Sequence, residues 1–404
     1  MSIDTELQAM RTHISDAYNA VQGKGGIIPQ TQSFANLSSS INTIRTPSSV
    51  EEVLPYKVSG TSIVANNQNV TGKFQNITQI SSKAWYHQFE NYIYSQTNLT
   101  GSLNFASLTQ IGYNGMSSAF RCQRQITSVS FPALIVLDGD NSCDNAFNFC
   151  DSITSISLPL LESVIGNSAC YGMFTNCYGL TSISLPSLKT ISAYMSPCTS
   201  MFQSCYAITT ADLSALETIS GILACEYMFH SCYQLTTVDL SSLQTISGSS
   251  ACENMFGSCK LQSISLPSLQ TITGQSACYQ MFSSCTYLTT ASFPILTTAT
   301  GTRVFMGMFN DCSSLTSVSF PNLTTIDGER ACDNMFYNCS SLTSVSFPEL
   351  TTITGNLIFG TTMFQGCTNL TAIHFRSDMQ STVEGLAGYA YSFGAPNATI
   401  YFDL

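Results

Sequence analysis

The chain reads as an α+β repeat solenoid, a stack of units about 27 residues long. Three features say so. The first is a phrase that keeps returning: MFTNC (Met173–Cys177), MFQSC, MFHSC, MFGSC, MFSSC, MFNDC, MFYNC and MFQGC, with looser copies ending at Cys122 and Cys150. Its closing cysteines are Cys122, Cys150, Cys177, Cys205, Cys232, Cys259, Cys285, Cys312, Cys339 and Cys367, spaced 26–28 residues apart. Self-similarity at such a period marks a solenoid or array. The second feature is a companion series seven residues earlier: Cys143, Cys170, Cys198, Cys225, Cys252, Cys278 and Cys332. Together the two series account for all 17 cysteines. Phe305 replaces one member and Phe359 sits one position off. Phenylalanine has no donor atom and could not replace a metal ligand. The cysteines are therefore expected to be reduced core residues, small hydrophobes packing on their own copies. The third feature is the alternation Leu180-x-x-Ile183-x-Leu185, the pattern of a short half-buried strand.

From the N-terminus, residues 1–45 are expected to be an anchoring or oligomerisation segment. Leu7, Met10, Ile14, Ala17 and Val21 follow 3-4-3-4 spacing, a helical seam, and the glycines of GKGG stop it. Phe34, Leu37, Ile41 and Ile44 repeat the spacing in a second short helix. A Pro/Ser-rich linker, Arg45 to Pro55, leads into residues 46–98. They continue as a degenerate first unit or cap holding the only tryptophan, Trp85. Residues 99–370 are the solenoid. In the unit from Leu180 to Cys205 the strand ends at Pro186, which cannot donate to a ladder. The stretch from one cysteine to the next, as in Cys198–Cys205 with Met201 and Phe202 between, has the spacing of one face of a short helix. Asp144, Glu226, Glu253 and Asp333 recur at one register and would favour the start of that helix. Residues 371–404 change pattern, to a helix over 379–389 and a final strand over 399–402, as a cap does at an open solenoid end.

Composition narrows the function. Charged residues are only 9% of the chain, and the formal net charge is −11. Residues 143–367 carry 13 acids against four bases, Lys189, Lys260, Arg303 and Arg330. Phosphate backbones need clustered Lys and Arg, so no nucleic-acid partner is expected. The N-terminus lacks the apolar core of a signal peptide, and no apolar run is long enough to span a membrane. The four histidines sit in unrelated contexts, His230 as an exposed side chain, and no Cys-x-x-Cys or His-x-x-x-His pair occurs. No metal, cofactor or catalytic site is therefore expected. Outward strand positions are small, as at Ser182, Ser184, Thr210 and Thr237. Tyrosines gather beside the cysteine phrases instead: Tyr178, Tyr206 and Tyr233 directly after a closing cysteine, with Tyr171, Tyr227, Tyr279, Tyr287 and Tyr337 nearby. Stacked at strand spacing they would make an aromatic ridge with polar tips, suited to a carbohydrate or protein surface. Bracing of the stack is the competing role.

The strand pattern resembles the opening of a leucine-rich repeat. The AF/MF-x-x-C phrase followed by LTSI resembles the BspA type in particular. Leu188 stands where that pattern commonly has Asn or Cys, so the resemblance stops short of an asparagine ladder. Residues Ala17–Ile44 are similar to N-terminal segments of tail-associated proteins from phages and prophages of Gram-positive bacteria. Ile373–Leu404 is similar to the closing segment of BspA-like proteins in those phages. These resemblances imply a non-enzymatic virion protein, made in a host bacterial cytoplasm and joined to other virion proteins through its N-terminal segment. Its solenoid would recognise a host-envelope polysaccharide or protein, and it could form a homo-oligomer. A decoration or spacer protein of capsid or tail, and a bacterial surface adhesin, are the alternatives.

Overall fold

The computed structural model describes residues 68–69, 74–80, 82–85 and 99–404. The expected helices carrying Leu7, Met10, Ile14, Val21, Phe34, Leu37 and Ile41 lie outside these residues. Each coil of the solenoid has three sides, and one coil, residues 180–205, serves for all. Its first strand, Ser182–Ser184, turns Ile183 inward and both serines outward. After Pro186 the chain bends into a second strand, Thr190–Met195, at a place where the sequence pattern reads as irregular. The Thr-Ile-Ser/Thr alternation that recurs there is itself a strand pattern of period two. Its apolar residues Leu188 and Ile191 point into the same interior as Ile183.

Strands stack on their own copies in parallel. Thr190 pairs with Thr218, Thr218 with Thr245, and Thr245 with Thr271. The second strands form one nine-stranded sheet from Val136–Leu137 to Thr352–Thr354. The first strands fall into shorter sheets of three or four. Like meets like because a one-residue slip would turn every Ile outward and every Ser or Thr inward.

The third side is not the expected helix, and helix is scarce among the described residues. In residues 169–177 alternate amides do different work. Those of Tyr171, Met173, Thr175 and Cys177 bond to the carbonyl three residues back. Those of Cys170, Gly172, Phe174 and Asn176 reach carbonyls of the next coil. A helix would spend every amide within its own segment; this ribbon of turns spends half on its neighbour. The geometry requires a left-handed residue every fourth position, such as Ser168, Gly172 and Asn176, with φ of 49°, 54° and 62°. Gly and Asn take that conformation at least cost. The apolar spacing of three and four is thus satisfied by turns of period four.

Stacking supplies the core. The phrase phenylalanines Phe120, Phe147, Phe174, Phe202, Phe229, Phe256, Phe282, Phe309, Phe336 and Phe364 form one continuous column. Neighbouring ring centroids lie 5.2–5.7 Å apart and the rings are nearly parallel. Each buried ring or leucine is worth roughly 1.5–3 kcal/mol relative to exposure, and only the neighbouring coils can bury it.

The two ends differ. At the first coils, strands Gln68–Asn69 and Gln79–Ile80 pair with Leu99–Asn104 and Gln110–Ile111, and Trp85 and Phe74 pack edge to face at 5.4 Å. At the other end the expected helix over 379–389 shrinks to an α-helix of five residues, Gln380–Glu384, between 3-10 turns Ser377–Met379 and Tyr389–Gly394. Gly385 and Gly388 interrupt it. A side chain on Gly388, at φ 91°, would meet the carbonyl of Gly360. The chain then tucks Phe393 edge-on to Phe359 and adds the expected last strand, Thr399–Phe402, beside Ala372–Phe375.

Candidate functional site

Three side-chain columns are the chemical features of the solenoid. The closing cysteines form the first. Cys150, Cys177, Cys205, Cys232, Cys259, Cys285, Cys312, Cys339 and Cys367 are buried, and each thiol donates to a phenylalanine carbonyl of the preceding coil at 3.0–3.3 Å. Phe147 shows the arrangement: its carbonyl accepts the Cys150 amide of its own coil and the Cys177 thiol of the next. Burial pushes the Cys205, Cys285 and Cys367 thiols up to about 12 and raises the others of the column as well. A thiol held neutral is neither nucleophile nor metal ligand. None of the 17 cysteines is in a disulfide, and among the described residues no group of three or more His, Cys, Asp or Glu side chains could hold a metal.

The companion series is built differently. Cys170 and Cys198 share a thiol–thiol hydrogen bond, which with burial raises Cys170. Cys225, Cys252, Cys278 and Cys332 are raised by burial with no such bond. Phe305 and Phe359 occupy this column, and both are buried. Phe359 follows Ile358 as Cys332 follows Ala331, and the Cys332 amide bonds to the carbonyl of Ile358. Its apparent displacement in sequence comes from one extra residue before Met363, so in space it is in register.

The tyrosines separate into one true ladder and several scattered rings. Tyr178 and Tyr206 stack at 4.9 Å and 15°, and Tyr206 and Tyr233 at 5.2 Å and 22°. They are 36–51% exposed. The same column begins with Arg124, paired at 3.4 Å to Asp151 of the next coil, and continues past the ladder with Lys260, whose ammonium lies 5.2 Å from the Tyr287 ring centre. Tyr171 and Tyr279 stand instead in the position after the companion cysteine. Tyr227 is one residue further on and edge-on to His230 at 5.3 Å, and Tyr337 lies two residues before its closing cysteine. Since the ladder's rings face one another, what they offer solvent is their rims rather than a flat aromatic platform.

The acidic register does not start a helix, since none forms there. Asp144 accepts the side-chain Nδ2 of Asn145 at 2.6 Å and the Ser117 hydroxyl at 3.3 Å. Asp333 accepts the Thr362 hydroxyl at 2.7 Å. Glu226 and Glu253 occupy this register in neighbouring coils. Desolvation, then the charge of Glu253, pushes the Glu226 carboxyl up to about 7. Sequence reasoning missed this pair because the register alone does not show the burial that raises Glu226. His230 is half-buried rather than exposed, which lowers its pKa, and its Nδ1 lies 3.0 Å from the Ser231 hydroxyl.

The family described as "BspA type Leucine rich repeat region (6 copies)" matches residues 72–196, 141–279, 199–329 and 280–389. The chain belongs to the BspA-type leucine-rich repeat family. Solved structures that match the chain include three repeat proteins. One is a leucine-rich repeat protein from Bacteroides ovatus, 18% identical, covering 75% of this chain and 94% of that one at a TM-score of 0.27. Another is the Leucine Rich Repeat protein of T. pallidum, 23% identical, covering 55% and 85% at 0.33. The third is a leucine rich cell surface protein from Faecalibacterium prausnitzii, 17% identical, covering 80% and 87% at 0.29. No curated protein matches the chain. Among the described residues of this BspA-type chain, no helix is long and apolar enough to cross a membrane.

Proposed function

We propose that this BspA-type solenoid is a non-enzymatic recognition protein that presents the Tyr178–Tyr206–Tyr233 ladder to a cell-envelope polysaccharide or protein. In this reading it rides on a phage or prophage-derived particle, made in a bacterial cytoplasm and held through residues 1–45. The observation that carries the reading is the ladder itself: three exposed aromatic rings in consecutive coils, beside strand faces that are otherwise small and uniform. Tyrosine is a common interface anchor because it combines apolar area with a hydrogen-bonding tip. With the inner ring faces covered by stacking, contact is made by ring rims and hydroxyls, so recognition rests on hydrogen bonding along the ladder. The neutral buried thiols support a non-catalytic role.

Replacing Tyr178, Tyr206 and Tyr233 by Ser, with binding of the purified protein measured on intact cells and on isolated virion parts, tests the reading. Weakened binding to cells by a well-folded variant supports it. Unchanged attachment would move the site, first to the Ser/Thr strand face. A large fall in melting temperature would make the ladder a brace. A second reading, a decoration or spacer protein, is favoured by the uniform outward residues Ser182, Ser184, Ser263 and Ser265, and predicts binding to virion parts alone.

A further inference from the structure

One corner of the solenoid breaks its own rule. At the end of the second strand, coils carry a glycine stacked on the glycine below. A side chain on Gly248 would collide with the carbonyl of Gly221, and one on Gly274 with that of Gly248. The two residues that follow are small or polar: Asn167-Ser168, Ser249-Ser250, Gln275-Ser276, Thr302-Arg303 and Glu329-Arg330. A later coil keeps the glycine but follows it with Asn356-Leu357, and two adjacent coils depart further. The first reads Ala193-Tyr194-Met195-Ser196, one residue longer than its neighbours, and its strand shifts register between Ser192 and Met195. The second reads Gly221-Ile222-Leu223.

The insertion forms a bulge, and bulges re-aim side chains. Tyr194 is pushed out to 73% exposure. Met195, 43% exposed, pairs with Ile222, and the exposed Ile165 lies on the coil below. Leu223 takes the left-handed conformation at φ 56°, where Ser250 and Ser276 sit in the following coils at φ 51° and 54°. A leucine there is strained; Leu357 takes the same conformation in a later coil at φ 52°, and neither leucine is buried. Pro197 stands where Ala169 donates a turn bond to Gly166, so the longer coil has no amide to satisfy at that point. Exposed Asp138 and Asp140 border the corner, and residues 137–141, 164–168, 191–196 and 219–223 contain no Lys or Arg.

We infer that Ile165, Tyr194, Met195 and Leu223 form a docking surface for a protein segment that places an apolar side chain beside lysine or arginine. The exposed apolar corner supplies the anchor, the flexible Met195 adapts to it, and Asp138 and Asp140 select a basic partner. The surface lies on a different side of the coil from the tyrosine ladder and stands independently of it.

The probe is a short fluorescein-labelled peptide of alternating leucine and lysine, titrated by anisotropy against the full chain. Saturable binding that weakens with salt is expected, falling roughly tenfold in Tyr194→Ser/Met195→Ser. Leu223→Ser separates binding from folding: it should keep or raise the melting temperature while weakening the peptide. Absence of saturable binding, or equal binding by wild type and the double variant, would overturn the inference. Self-association in sedimentation that the double variant abolishes would overturn it in favour of a second copy of this chain.

Discussion

The two cysteine columns look alike in sequence and are equally buried, yet one tolerates phenylalanine and the other never does. In the closing column the thiol is a hydrogen-bond donor, tying each coil to a phenylalanine carbonyl of the coil before it. In the companion column most thiols fill space. Burial alone therefore does not explain why the coils from Cys150 to Cys367 all close in cysteine, whereas in the first coil the buried Gln123 takes the closing position and Cys122 falls one residue short of it. The closing position needs a side chain small and apolar enough for the core that also carries one weak donor, and cysteine meets that need.

The largest effect expected from this difference comes from placing phenylalanine in each column. Cys339→Phe should cost about 3 kcal/mol or more, through overpacking and the lost bond. Cys332→Phe, between Phe305 and Phe359, should cost roughly half as much because those rings already shape its surroundings. Urea denaturation of the two variants measures the gap, and equal losses would break the distinction.

A sharper test uses smaller changes. Cys232→Ser keeps a donor for the carbonyl of Phe202, so it should cost less than about 1 kcal/mol. Cys225→Ser buries a hydroxyl without a partner and should cost about 1–3 kcal/mol. With valine the order should reverse, and melting curves of the four variants decide it.

Chemical reactivity comes next. In the native protein an alkylating agent should label Cys122 first, because it alone among the cysteines is not buried. In denaturant without reductant, intact mass should show all 17 thiols modified. Substantial pairing would contradict the packing account.

The smallest effect concerns the residue after the companion column. Glu226 has a folded-state pKa of about 7 against 4.5 in an unfolded chain. The folded state thus holds its proton more tightly. That contribution to stability is complete below pH 4.5 and is lost as pH rises to about 7. Glu226→Gln should match wild type at the acid end and exceed it above pH 7, measured by melting temperature across that range. A parallel offset at every pH would show that Glu226 does not titrate there.

Legibility in the sequence followed chemical repetition. The period, the inward Ile and Leu of the first strands, the two cysteine columns and the Tyr178–Tyr206–Tyr233 register could be read because each depends on a side chain recurring at a fixed interval. Those features the chain determines by itself. What only the tertiary structure decided was where the backbone amides go. Met and Phe at spacings of three and four suit a helix, but Ser, Asn and Gly at every fourth position suit left-handed turns, and the neighbouring coil settles the choice by accepting alternate amides. For the same reason Phe359 regains its register, the tyrosine faces turn toward one another, and the Glu226 carboxyl is raised by Glu253. Each is set by the coil alongside, some 27 residues away in the chain and one strand spacing away in space.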